Sequence, residues 1–145
     1  MDSNLYWIVP LCIIAPVAFW CFICALISWA GGWWKLSKRF RAGEKPAGQT
    51  FWMQHLWLGV ADYKGCVNIR VAPSGLHLSV LPIFAVAHPP LLIPWKLFAP
   101  TKTIKWFWLT TYTTSISLSG FGTVQIQFTN KKIADAMSPY LPAAQ

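Results

Sequence analysis

The stretch Leu5–Ala30, LYWIVPLCIIAPVAFWCFICALISWA, runs for 26 residues without a charged side chain. A bilayer's hydrocarbon core needs about 20 helical residues at 1.5 Å each, so this run is long enough to cross with some tilt. Five cations follow it directly: Lys35, Lys38, Arg39, Arg41 and Lys45. Cytoplasmic flanks of membrane spans concentrate Lys and Arg in this way, which predicts an outer N-terminus and an inner C-terminal domain. Tyr6 and Trp7 at one end, with Trp29, Trp33 and Trp34 at the other, read as the two aromatic belts of the interfaces. Pro10 and Pro16 are compatible with a kinked membrane helix. A cleaved signal peptide fits less well, because the N-terminus carries Asp2 as its only charged side chain and the apolar run is too long.

The composition agrees with a membrane protein: 55% of residues are hydrophobic, only 11% are charged, and there are ten tryptophans. Trp prefers sites with one apolar and one wet side. The net charge of +8 could point to nucleic acid, but the basic collar holds five of the twelve cations and the rest are scattered. No nucleic-acid partner is expected from that distribution. Of the four cysteines, Cys12, Cys21 and Cys24 fall in the apolar run and only Cys66 lies beyond it, which fits a reduced compartment. Cys21 and Cys24, at i and i+3, read as small residues on one packing face of the helix.

Residues 1–34 therefore form an anchor, 35–50 a collar and breaker-rich linker, and 51–145 a domain. Phe51–Leu58 is strongly apolar and reads as a segment lying on the membrane surface, on a partner, or over the domain. From Cys66 the hydrophobic period is two: Val67, Ile69 and Val71, a turn at Pro73-Ser-Gly75, then Leu76, Leu78 and Val80, a hairpin. Ile104, Trp106 and Trp108 predict another strand, as do Ile116 with Leu118 and Val124, Ile126 and Phe128. Ser119-Gly-Phe-Gly122 joins the last two. Ile133, Met137 and Tyr140 share one face of a terminal helix, capped by Asn130 and stopped by Pro142. A rival reading makes the uncharged run Leu76–Trp95 a second span, but its four prolines and period-two start oppose that.

Strands followed by one amphipathic helix are the element order of a pleckstrin-homology (PH)-like barrel. Pro73-Ser-Gly-Leu-His-Leu-Ser79 with His88-Pro-Pro-Leu-Leu-Ile-Pro-Trp95 resembles a group of small uncharacterised bacterial membrane-associated proteins. The resemblance covers about Tyr63 to Trp95 and implies a PH- or GRAM-like domain at a bacterial inner membrane. It implies no activity and no catalytic residues.

The chemistry-bearing residues form no recognised motif. His55, His77 and His88 lack the short-spaced partners of a zinc site, and Asp62 and Asp135 lie in unrelated segments. No cofactor and no metal are expected, and the chain reads as a non-enzymatic protein; an enzymatic reading requires His88 and Asp62 to converge in a pocket. Pro89 and Pro90 favour an extended geometry that aromatic grooves grip, so His88, Pro89, Pro90 and Trp95 are a candidate partner-binding segment beside a structural role in entering a strand. The expected function is protein contact beside the membrane, with a membrane protein or a second copy as partner. The alternative is sensing of anionic membrane lipids by Lys35, Lys38, Arg39, Arg41 and Lys45.

Overall fold

The computed structural model describes residues 3–120 and 122–142. Helix α1 (Leu5–Gly31) is continuous through Pro10 and Pro16 and is long and apolar enough to cross a membrane. Most of its surface is exposed; Cys24, Ser28 and Gly31, spaced i, i+4 and i+7, form the one buried stripe. Gly32, at φ 88°, closes α1 and turns the chain into the short α2 (Trp33–Phe40). That left-handed conformation carries little cost only for glycine.

Seven antiparallel strands follow: β1 (Gln49–Leu58), β2 (Ala61–Ala72), β3 (Gly75–Val80), β4 (Leu91–Ile93), β5 (Lys102–Trp106), β6 (Leu109–Leu118) and β7 (Gly122–Phe128). They form one sheet in the order β4-β3-β2-β1-β7-β6-β5. The expected barrel is thus corrected to an open sheet, since its edge strands β4 and β5 do not pair with each other. The chain passes from one edge to the other through residues 94–101. On the way Trp95 enters the core, where its indole N–H donates to the Ala72 carbonyl at 2.7 Å and its ring stacks on Tyr140. Thr114 ties down the end of that crossing by donating to the Ala99 carbonyl at 2.8 Å.

The hairpin of β2 and β3 forms as the alternation predicts, with Ile69 opposite Leu78 and Val71 opposite Leu76. Residues 76–95 hold two strands, one 3₁₀ turn and the start of another, not a second span. Phe51–Leu58 is neither a surface segment nor a lid: it is part of β1, hydrogen-bonded between β2 and β7. Phe51 and Leu56 both point inward although five positions apart. An odd spacing returns to the same face only across a bulge, and Met53 at φ 50° interrupts the register there.

Helix α3 (Lys131–Met137) covers the core with Ile133 and Met137. The Asn130 side chain accepts from the Lys132 backbone N–H at 2.9 Å and donates to Gln54 at 2.9 Å. Asn130→Ala is expected to cost about 1 kcal/mol, read as a lower unfolding midpoint of the detergent-solubilised protein.

Candidate functional site

Helix α1 and the domain are fastened to each other by a clasp of named contacts. Gly31 packs so closely on the β1–β2 turn that an added Cβ would lie 2.5 Å from the Ala61 Cβ and 3.1 Å from the Leu58 carbonyl oxygen. Three side chains of the helices donate to carbonyls of the β3–β4 loop. Trp20 reaches Ile83 at 2.9 Å, Ser28 reaches Ala87 at 2.6 Å, and Trp33 reaches Pro89 at 2.9 Å. Trp33 is completely buried and its ring packs on Tyr63 and His88. Trp33 therefore does not belong to the aromatic belt the sequence suggests, whereas Trp29 and Trp34 are exposed.

His88 sits at the centre of this clasp, buried to 3% exposure. Its Nδ1 lies 2.9 Å from the Val86 carbonyl and its Nε2 lies 3.0 Å from the Tyr63 hydroxyl. A carbonyl only accepts, so Nδ1 carries the proton and the Tyr63 O–H donates to Nε2. Burial pushes His88 below the usual histidine range and Tyr63 upward, so both stay neutral. His77 on β3 is shifted down as well, by burial and then by the cations Arg70 and Lys45. A histidine whose folded state disfavours the proton leaves the unfolded chain binding more protons. The stability it confers is complete above about pH 6.5 and declines as pH falls. The unfolding midpoint should therefore drop between about pH 7 and pH 5, with a shallower slope in His88→Gln.

Asp62 and His88 both line an apolar cavity of about 160 Å³ between α1 and the domain, together with Cys24, Tyr63, Cys66 and Phe84. This is the convergence an enzymatic reading requires, and each group already has partners. Asp62 is paired with His55 at 2.5 Å and lies 3.8 Å from the Lys64 ammonium, and both ring nitrogens of His88 have partners. The cysteines are free thiols, and among the described residues no cluster of His, Cys, Asp and Glu has the makings of a metal site.

The collar divides. Lys35, Lys38 and Arg39 stand on the outward face of α2, opposite the buried Trp33 and Leu36. Arg41 bridges to Leu91 at the start of β4. Lys45 lies apart, beside Arg70 and His77. Lys38 and Arg41 join His88, Pro89 and Pro90 around one open groove of about 680 Å³, with Trp34 as a wall. Two sequence-derived sites thus meet in one place. Trp95 is elsewhere, buried in the core.

A second surface was hidden in the sequence. Strand β5 ends at Trp106, and Phe107 and Trp108 form the turn into β6, with Phe107 at φ 51°. Trp106 is 70% exposed, Phe107 80% and Trp108 93%. Ile104 and Leu109 extend the patch, and Lys102 and Lys105 flank it. All of β5 is exposed and it is one of the sheet's two edge strands. Three consecutive aromatics break the period of two, which was the available signal. The tip lies about 30 Å along β6 from Leu118, whose partner β7 carries Val124, which a Cβ added at Gly32 would meet at 3.4 Å. No protein-family model, curated protein or solved structure matches the chain.

Proposed function

We propose that this is a non-enzymatic, single-pass membrane protein whose PH-like domain makes protein contacts beside the membrane, as an accessory subunit of a membrane complex. The orientation is N-terminus outside and domain inside, with the bacterial inner membrane as its site. Seven antiparallel strands followed by one terminal helix support the PH-like reading. The observation that carries the function is the aromatic hairpin tip on a free sheet edge. Exposed aromatics of this density are typical anchors of interfaces, and an unpaired edge accepts a partner's strand. From Tyr63 to Ala134 the chain has no Asp or Glu, so the complementary partner is acidic. A second copy is disfavoured at β5, where the lysines Lys102 and Lys105 would put like charge on both sides of the joined edge.

Photocrosslinking from position 107 in native membranes tests this. The expected product is a discrete protein adduct that Lys102→Glu with Lys105→Glu abolishes. If no protein adduct forms and the purified full-length protein never co-isolates with a partner, the reading fails.

The groove between Lys38, Arg41 and the Pro89–Pro90 turn favours a second reading, in which the domain senses anionic lipid. Each cation near the surface contributes about 1 kcal/mol of attraction to anionic headgroups. Headgroup enrichment around the reconstituted protein should then fall with salt and with Lys38→Gln plus Arg41→Gln. Enrichment indifferent to both rules this version out.

A further inference from the structure

We propose that the apolar loop 82–87 is set into the inner leaflet beside the anchor, so that acyl chains cover Ile83 and Val86. The inference rests on the reading of α1 as a membrane span and adds a second membrane-embedded element to it.

Depth comes first. The Trp20 indole bonds the Ile83 carbonyl, and its ring lies 5.4 Å from that of Phe84. Trp20 is eleven residues before Gly31, the end of α1. The 27 residues of α1 measure about 40 Å, against about 30 Å of hydrocarbon. If the hydrocarbon begins at Leu5, its inner boundary falls near Cys24 and Trp20 lies about 6 Å inside it. If it ends at Gly31, Trp20 lies about 16 Å inside. The deeper register would carry Asp62 and Lys64, which line a cavity with Cys24 and Ile27, into the hydrocarbon, so the shallower one is favoured. It still puts the Ile83 carbonyl within the apolar layer.

Five of the six carbonyls in loop 82–87 also have a donor within the protein. No charged side chain occurs from Leu81 to Trp95. Lipid offers no hydrogen bonds, so backbone exposed to it must be satisfied by protein. The helices supply donors to the carbonyls of Ile83, Ala87 and Pro89. The loop supplies four more from its own groups: Phe84 N–H to Leu81, Ala85 N–H to Pro82, His88 N–H to Ala85, and His88 Nδ1–H to Val86. The Ala42 N–H serves Pro90. Prolines at 82, 89 and 90 remove three backbone donors that would otherwise need partners. Surface loops ordinarily leave such carbonyls to solvent.

What the loop does show outward is apolar. Ile83 is 63% exposed and Val86 41%, next to the exposed apolar side of α1. A protein or water on this face would have to displace the lipid that already surrounds α1 at the same depth.

The test uses the full-length protein in nanodiscs of phosphatidylcholine and phosphatidylglycerol. Benzoylphenylalanine is placed singly at Val9, Ile83, Val86 or Lys131, all at exposed positions where the larger side chain has room. Photolysis followed by mass spectrometry reads the adducts. Lipid adducts at 9, 83 and 86, and none at 131, are expected. Lipid at 9 with none at 83 and 86 overturns the inference and leaves the anchor standing. No lipid at 9 removes the span itself, and the inference with it.

Discussion

Replacing Trp33 with alanine is expected to destabilise the protein by about 3–5 kcal/mol, while the same change at Trp34 should cost less than about 1 kcal/mol. The two residues are adjacent, yet α2 turns Trp33 into the core and leaves Trp34 on its outer face. Losing the Trp33 ring opens a cavity against Tyr63 and His88 and leaves the Pro89 carbonyl without its donor. Each of those effects is large for a buried group. Denaturant unfolding of the two variants in the same detergent reads the difference. The damage should also be specific to the clasp: proteolysis should reach loop 82–90 in Trp33→Ala before it reaches β1, β6 and β7. Equal midpoints for the two variants would mean that the helices do not hold the domain.

The second large effect concerns partners. Trp106→Ser together with Trp108→Ser should weaken partner capture by more than about 30-fold, the equivalent of about 2 kcal/mol for a single interface anchor. Folding should be unaffected within about 0.5 kcal/mol, because both side chains are largely exposed and their ring contacts are with the exposed Phe107. This separation between binding and stability distinguishes a recognition surface from a structural one. Capture that survives the double change, with an unchanged midpoint, would move the contact surface away from the hairpin tip.

How much of this was legible in the sequence follows from the physics of each element. The β2–β3 hairpin was, because Val67, Ile69, Val71, Leu76, Leu78 and Val80 keep an unbroken period of two. So was α3, where Asn130 caps and Ile133 and Met137 pack. Strand β1 was obscured by its bulge at Met53, which shifts the phase of an alternating pattern midway. Trp33 was misplaced for a different reason. A tryptophan beside a span meets the same demand, an apolar body and a bonded N–H, whether headgroups or the protein's own loop supply it. Here the Pro89 carbonyl does. The Trp106–Trp108 patch hid in a strand pattern because a turn can follow a strand without changing composition; the run of three aromatics was the one sequence signal, and the positive φ at Phe107 marks the break in the structure. The collar and the His88-Pro89-Pro90 segment were each visible alone. Their meeting in one groove depends on α2 folding back over β4, which no local pattern encodes.

Everything proposed for the domain depends on α1 crossing a membrane with its collar inside. The direct measurement is labelling of intact cells by a membrane-impermeant maleimide, with single cysteines replacing Ser3 or Lys131, both exposed. Ser3→Cys should label in intact cells and Lys131→Cys only after lysis. Labelling of both only after lysis, or of Lys131→Cys alone in intact cells, would contradict the account.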